Sequence, residues 1–425
     1  MKIGALTSFR LTRVVLRQVS AILVLAFTCV GQVSPFPGTD WASLNDSGER
    51  AYDRRQYEAA ERFFNSALQA AKPFGPDDLR LATTLNDLGL LYRAQGKFKQ
   101  AEPLYRQSLA IREKKLGPRD LQVATSLNNL AGLLAAETRY VEAERLYQRA
   151  LTIRTTKLGK NDPQVATVLN NLAGMYSAEG KYDKAVPLFQ QTLKIRESNF
   201  GPDQPPVANA LNNLAGVYTS QGQYEKAIPL YQRAIAIDEK IQGPEQTALT
   251  MDLSNLGALY FQQGKYDDAL PLYQRALDIR DKTLGPLHPL TGISVQNLAG
   301  VYKAQKKYDL AEPLYQRALN IFQTSAGPES AEVGSVLDEL SSMYVAEGKY
   351  TEAAPLFAQL VSVEEKVFGP NAPILTETLP AYASVLRKLG RDAEAVQLDE
   401  RAQQIIVKSK VANTAKPTSA HPHTN

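Results

Sequence analysis

The sequence predicts an all-α solenoid of about nine helix hairpins, and three observations carry that expectation. Glycine recurs at 75, 117, 159, 201, 243, 285, 327 and 369, seven successive steps of 42 residues without insertion or deletion, in a chain with only 26 Gly among 425 residues. Within each period apolar residues fall at i, i+3, i+4 and i+7, as on one face of a 3.6-residue helix. The composition, 44% hydrophobic and 22% charged, belongs to a chain that can bury a core. A fixed period of this kind overrides the ordinary expectation of about 150 residues per domain.

The first element is a leader. Lys2, Arg10, Arg13 and Arg17 precede the first acidic residue, Asp40, and an apolar stretch runs from Val19 to Val30. That stretch is shorter than the roughly 20 residues a helix needs to span a bilayer, so residues 1–31 read as a signal peptide, or alternatively as an uncleaved N-terminal anchor. Residues 32–40 read as a linker. The expectation is export to the periplasm or beyond, or attachment to a membrane through this segment alone. Without those four cations the remaining 44 Lys and Arg match 44 Asp and Glu, and a neutral chain argues against nucleic acid as a partner. The lone Cys29 excludes a disulfide framework or a multi-cysteine zinc site.

The repeat follows, with units expected at 41–74, 75–116, 117–158, 159–200, 201–242, 243–284, 285–326, 327–368 and 369–408. Helix A of the fourth unit places Leu169, Leu172, Ala173 and Tyr176 on one face, and helix B does the same with Ala185, Phe189, Thr192 and Leu193. Gly180 closes helix A, since glycine enters the left-handed region at little cost. Pro187 and its counterparts Pro103, Pro229, Pro271, Pro313 and Pro355 are expected in the first turn of helix B, where a missing amide hydrogen is no loss. The Gly-Pro after helix B stops it. Residues 409–425 are polar and aperiodic and are expected to be a disordered tail.

Leu172, Ala173, Tyr176, Ala185 and Phe189 fit the pattern of the tetratricopeptide repeat. The period of 42, with strings such as Val123-Ala-Thr-Ser-Leu-Asn-Asn-Leu-Ala131 and Ala311-Glu-Pro-Leu-Tyr-Gln-Arg-Ala-Leu319, resembles the kinesin light chain subfamily. The resemblance implies a right-handed superhelix whose helices A line a concave groove for a peptide or protein ligand. One hairpin cannot bury both faces of its helices, so stacking must complete the core.

The most informative polar feature is an Asn pair in helix A: Asn128-Asn129, Asn170-Asn171 and Asn212-Asn213, with Asn255 and Asn297 continuing the second position. Asn is a poor helix former, so something offsets its repeated use. An amide is both donor and acceptor and can grip the backbone of an extended peptide without reading its sequence; the resemblance implies this role. The alternative is that the amides tie neighbouring helices together. By the same resemblance Thr83, Thr125, Thr167, Asn209, Met251 and Ile293 face the groove, with Gly132, Gly174, Gly216 and Gly300 one turn on. Groove cations are few, chiefly Arg93, Lys303 and Arg387, so a preference for acidic peptides is not expected. The Tyr series at 92, 176, 218, 260, 302 and 344 reads as core. Arg149, Arg233, Arg275 and Arg317 read as a solvated stripe paired with residues such as Glu144 or Asp278.

No catalysis is expected. The sequence lacks a phosphate-binding glycine loop, and His288 sits in an inter-repeat turn, leaving only His421 and His423 near the end. No cofactor and no metal site is expected. The function class is a noncatalytic scaffold holding an extended peptide or partner protein, with a self-associating solenoid of the cell envelope as the alternative.

Overall fold

The computed structural model describes residues 40–240 and 246–414, and among them the secondary structure is helical throughout. Eighteen α-helices pair in sequence into nine hairpins, and the chain divides into two compact units. The first unit holds α1 (Trp41–Asp53), α2 (Tyr57–Ala71), α3 (Leu79–Ala94), α4 (Phe98–Leu116), α5 (Leu121–Ala136), α6 (Tyr140–Leu158), α7 (Pro163–Ala178), α8 (Tyr182–Phe200), α9 (Pro205–Ser220) and α10 (Tyr224–Asp238). The second holds α11 (Gln246–Gln262), α12 (Tyr266–Thr283), α13 (Pro289–Ala304), α14 (Tyr308–Ser325), α15 (Ala331–Glu347), α16 (Tyr350–Phe368), α17 (Leu375–Lys388) and α18 (Asp392–Thr414). The expected leader at 1–31, almost all of the linker at 32–40, and Gly243 lie outside the described residues.

Each hairpin is punctuated locally. Gly117, Gly159, Gly201 and Gly369 follow helix B with φ between 84° and 93°, the left-handed region that glycine enters without strain. The next helix A then opens on a side-chain cap: Asp78, Asp120 and Asp162 each accept a backbone N–H two residues on. His288 performs the same task, its Nδ1 accepting the Leu290 N–H at 3.1 Å. The turn role read for it is thus the N-cap of α13.

Packing follows the period. Ala101, Ala143, Ala185, Ala227, Ala269, Ala311, Ala353 and Ala395 are completely buried, at the point where helix B meets helix A. Within the first unit successive first helices touch directly, α1 with α3, α3 with α5, α5 with α7 and α7 with α9. That places these helices on the tighter side of the stack. The tyrosine series packs into the core as expected, and three of its hydroxyls find helix-B carboxylates, Tyr92 donating to Glu61 at 2.8 Å, Tyr176 to Glu144 at 2.6 Å and Tyr344 to Glu312 at 2.9 Å, while that of Tyr218 accepts from Gln190 at 3.1 Å.

Three expectations are corrected. The helix-B prolines lie in the second turn, because α8 starts at Tyr182, five residues before Pro187. The carbonyl they leave unpaired, that of Asp183 in α8, is on an exposed residue that water can satisfy. The Arg stripe does not pair with Glu144 or Asp278. Arg149 pairs with Glu113 at 2.6 Å, Arg233 with Glu197 at 2.6 Å and Arg317 with Asp281 at 2.6 Å, each one repeat earlier, while Glu144 accepts from Gln148 and Tyr176. Finally, α18 runs to Thr414, past the point where the tail was expected to begin. No Gly or Pro stands between Gly390 and Pro417 to stop it; residues 415–425 lie outside the described residues.

Candidate functional site

The Asn pairs occupy the tighter side of the first unit and form a hydrogen-bonded ladder. Asn129 Nδ2 donates to Asn86 Oδ1 at 2.9 Å, Asn171 Nδ2 to Asn128 Oδ1 at 3.1 Å, and Asn213 Nδ2 to Asn170 Oδ1 at 2.8 Å. The second amide of each pair thus donates to the first amide of the preceding repeat. At the first rung Asp87 takes the second position, and a carboxylate can only accept, so the bond reverses: Asn45 Nδ2 donates to Asp87 Oδ2 at 3.1 Å. Tying neighbouring helices is therefore one job these amides do.

It does not exhaust them. A primary amide offers two N–H donors and an oxygen with two lone pairs. Asn86 and Asn128 are buried, Asn170 and Asn171 are half-buried, and Asn213 is exposed, so the ladder opens to solvent along the first unit. Asn171 and Asn213 each commit one N–H, and Asn170 commits its oxygen, which leaves the remaining donors and acceptors available.

At this open end lies a cleft of about 360 Å³. Its polar wall is Arg93, Asn170, Asn171 and Asn213, and Tyr147, Met175 and Phe189 contribute apolar surface. Two glycines shape it. A Cβ at Gly132 would lie 2.8 Å from Arg93 Nη1 and 3.2 Å from Tyr147 Oη, so a larger residue there would push the tip of the exposed Arg93 side chain aside. A Cβ at Gly174 would meet nothing within 4 Å, and the space above it belongs to the cleft. The Tyr147 phenol is pushed up to about 12 by burial, with the Arg93 charge acting the other way.

The structure brings Asn170, Asn171 and Asn213 together at the cleft. Asn128 and Asn129 lie further along the ladder, and Asn212 is half-buried beside Asn213. Asn255 on α11 and Asn297 on α13 are half-buried in the second unit. Of the groove cations, Lys303 pairs with Glu339 at 2.7 Å and also donates to Ser342, and Arg387 pairs with Asp399. Arg93 is exposed and makes no ion pair with any described carboxylate. Thr125 proves structural, accepting from Arg154 Nη2 at 3.1 Å.

Sequence reasoning missed the apolar wall given by Tyr147, Met175 and Phe189: Phe189 reads as part of the packed face of helix B, and the other two carry no signal of their own. It also missed an arginine at the end of helix B, buried at Arg154 and Arg280 and half-buried at Arg196. Arg154 donates to the Gln164 carbonyl at 2.9 Å, Arg196 to that of Pro206 at 2.9 Å and Arg280 to that of Leu290 at 3.1 Å, and each bond staples helix B to the first turn of the next helix A. Among the described residues no helix is long and apolar enough to cross a membrane, and no group of three or more His, Cys, Asp or Glu is placed to hold a metal.

Hairpins stacked in series, with small and amide side chains on the tighter face, define an α-solenoid repeat protein. The profile of the tetratricopeptide repeat matches residues 42–114, 122–198, 168–240, 206–254, 246–324 and 332–406, and the chain belongs to that family. Such repeats typically mediate protein–protein interaction and are generally noncatalytic. Structural neighbours include BtubC (BKLC) from P. vanneervenii, 27% identical over 58% of this chain and 91% of that one with a TM-score of 0.44. A kinesin light chain-type protein of nearly identical TPR-like repeats from Podosopora anserina is 24% identical over 48% of this chain and 98% of that one, TM-score 0.44. The apo form of the quorum sensor NprR from B. thuringiensis shares the fold, at 17% identity over 86% of this chain and 98% of that one, TM-score 0.55. No curated relative matches the chain.

Proposed function

We propose that this protein is a noncatalytic scaffold that holds an extended peptide, or an extended segment of a partner protein, against the first-helix face of residues 40–240. The observation that carries the reading is the convergence of Asn170, Asn171 and Asn213 on one cleft with hydrogen-bonding capacity to spare. The ladder holds each amide in place, so little side-chain entropy is lost when its remaining groups meet a peptide backbone. An extended strand offers alternating N–H and C=O groups, which amides match in both senses. Asn255 and Asn297 belong to the same reading in the second unit. Delivery to the periplasm or outside, or attachment through residues 1–31, is part of the proposal and is supported by the four cations and the apolar stretch there.

The test replaces Asn170, Asn171 and Asn213 together by Ala and measures retention of a pool of random N-acetyl decapeptide amides on the immobilised protein. Retention by the parent that falls about tenfold in the variant, at unchanged helical circular dichroism, is the expected result. Equal retention per folded molecule would assign the amides to helix–helix ties alone. Export is checked by protease accessibility of the protein in intact and in permeabilised cells.

A further inference from the structure

We propose that Glu364 and Asp338 form a proton latch for the last hairpin: α17–α18 stays docked on α16 while the pair holds its protons and loosens once both carboxylates ionise. The position of Glu364 recurs every 42 residues, and Arg112, Arg154, Arg196 and Arg280 fill it in four other repeats, each donating to the carbonyl ten residues on. Arg112 and Arg280 also donate to the hydroxyl fourteen residues on, Ser126 at 2.9 Å and Ser294 at 2.8 Å. Glu364 inverts that pattern. An ionised carboxylate only accepts, so Thr378, again fourteen residues on, donates to Glu364 Oε1 at 3.0 Å, and Oε2 is left buried without a partner. The staple that ties a helix B to the next hairpin is therefore missing between α16 and α17 for as long as Glu364 is charged.

The fold also sets this carboxylate among others of its own sign. Asp338 on α15 and Glu377 on α17 are the charged groups that act on it from the helices packed against α16, and no cation is among them. On α16 itself Glu365 is held by Arg401 of α18, and Lys366 by Glu329. Lys303 of α13 faces Asp338 but is already held by Glu339 at 2.7 Å. Burial first, and then Asp338 and Glu377, push Glu364 up to about 7 against the Thr378 bond, while burial and Glu339 push Asp338 up to about 6. Both stand above the ordinary carboxylate range, so the docked state holds the protons more tightly, and its stability falls as pH rises through about 6 to about 7. A neutral carboxyl also carries one O–H donor, so protonation returns a donor to the position where the arginines donate. What the latch holds is a small core of Val361, Ala372, Leu375, Leu379, Ala402 and Ile405, with the Tyr382 ring stacked on Phe357 at 6.0 Å. Stability in a solenoid is local, so charge at this junction acts on the last hairpin and leaves the earlier ones in place. Its loosening bares Phe357 and Val361, and the end of the stack changes from capped to open.

The test is amide hydrogen exchange of the full chain at about pH 5 and about pH 8, expressed as protection factors so that the intrinsic pH dependence of exchange drops out. In the parent, protection of α17–α18 should fall about tenfold more than protection of α11–α14 in the same unit. Glu364→Gln, which keeps the shape and cannot ionise, should remove that difference by keeping α17–α18 protected at both values. Asp338→Asn places there the residue that Asn86, Asn128 and Asn170 supply in other repeats, and it should shrink the difference. Equal changes in α17–α18 and α11–α14 of the parent overturn the latch. A local fall as large as the parent's in either variant also overturns it, so a variant that fails to fold leaves the other to decide.

Discussion

The turn that closes each first helix supplies its own controls, because the same geometry is built with glycine at Gly96, Gly180, Gly222, Gly264, Gly348 and Gly390 but with Arg55, Thr138 and Lys306 in the three other repeats. The hydrogen bonds are alike. Thr138 N–H reaches the Ala135 carbonyl at 3.0 Å and Arg139 N–H that of Leu134 at 2.9 Å, against 3.1 and 2.8 Å for the bonds at Gly180 and Lys181. Thr138 holds φ at 63° and Lys306 at 60°, in the left-handed region. An L-residue there costs about 1–2 kcal/mol, with β-branched Thr at the upper end, while glycine brings back about 0.5–1 kcal/mol of backbone entropy. Thr138→Gly should therefore stabilise by roughly 0.5–1 kcal/mol, Lys306→Gly by less, and Gly180→Thr should destabilise by a similar amount. A single global unfolding free energy is not the right readout, since stability in a solenoid is a sum of local and neighbour terms. Amide hydrogen exchange resolved to α5–α6 is, and it should slow roughly two- to fivefold in Thr138→Gly. Faster exchange there, or a Gly180→Thr variant whose α7–α8 amides do not speed up, would refute the strain argument.

Three other outcomes follow from the packing of the hairpins. Gly89→Ala would place a Cβ 2.7 Å from the ring of the fully buried Tyr105, so it should lower stability by about 1–3 kcal/mol, whereas Gly174→Ala has open space and should gain about 0.5–1 kcal/mol; paired thermal melts decide the sign of each. Arg154→Ala should cost about 1–3 kcal/mol, because it removes the bonds that this buried guanidinium makes to the Gln164 carbonyl and the Thr125 hydroxyl and leaves its space unfilled, and Arg154→Lys should not restore it, since one ammonium cannot reproduce the fork; exchange at the α6–α7 junction reads this. Glu364, 3% exposed, accepts from Thr378 at 3.0 Å through one oxygen while the other is unpartnered, and burial pushes it up to about 7. The folded state then binds its proton more tightly than the unfolded state, so its contribution to stability is greatest below about 4.5 and is lost as pH rises through about 7. Glu364→Gln should flatten that slope in a pH series of urea melts and raise stability above pH 7; an unchanged slope would place the titration elsewhere.

What the sequence makes legible here is whatever repeats in phase with its own backbone. The glycines, the buried alanines and the tyrosines each report a demand made identically in every hairpin, so their period of 42 names the fold and marks the turns. The same period locates the amide pairs but cannot say what they bond to. The ladder runs from Asn171 to Asn128 and from Asn213 to Asn170, a step of 43, and that one-residue offset arises from how adjacent hairpins settle against each other. The buried arginine staple was periodic too, yet its partner is a backbone carbonyl ten residues on, a group every residue carries and no sequence distinguishes. Arg93 fails in the opposite way. Its counterparts one, two and three repeats later are Ala135, Ser177 and Thr219, and a cation returns at that position only at Lys303 and Arg387, so no unbroken stripe marks it, and its place beside Gly132 and the Asn residues is set by contacts between different helices. Periodicity in a solenoid therefore speaks for what every hairpin must do to stack, while specificity for a ligand is written where the period breaks and must be read from contacts between repeats.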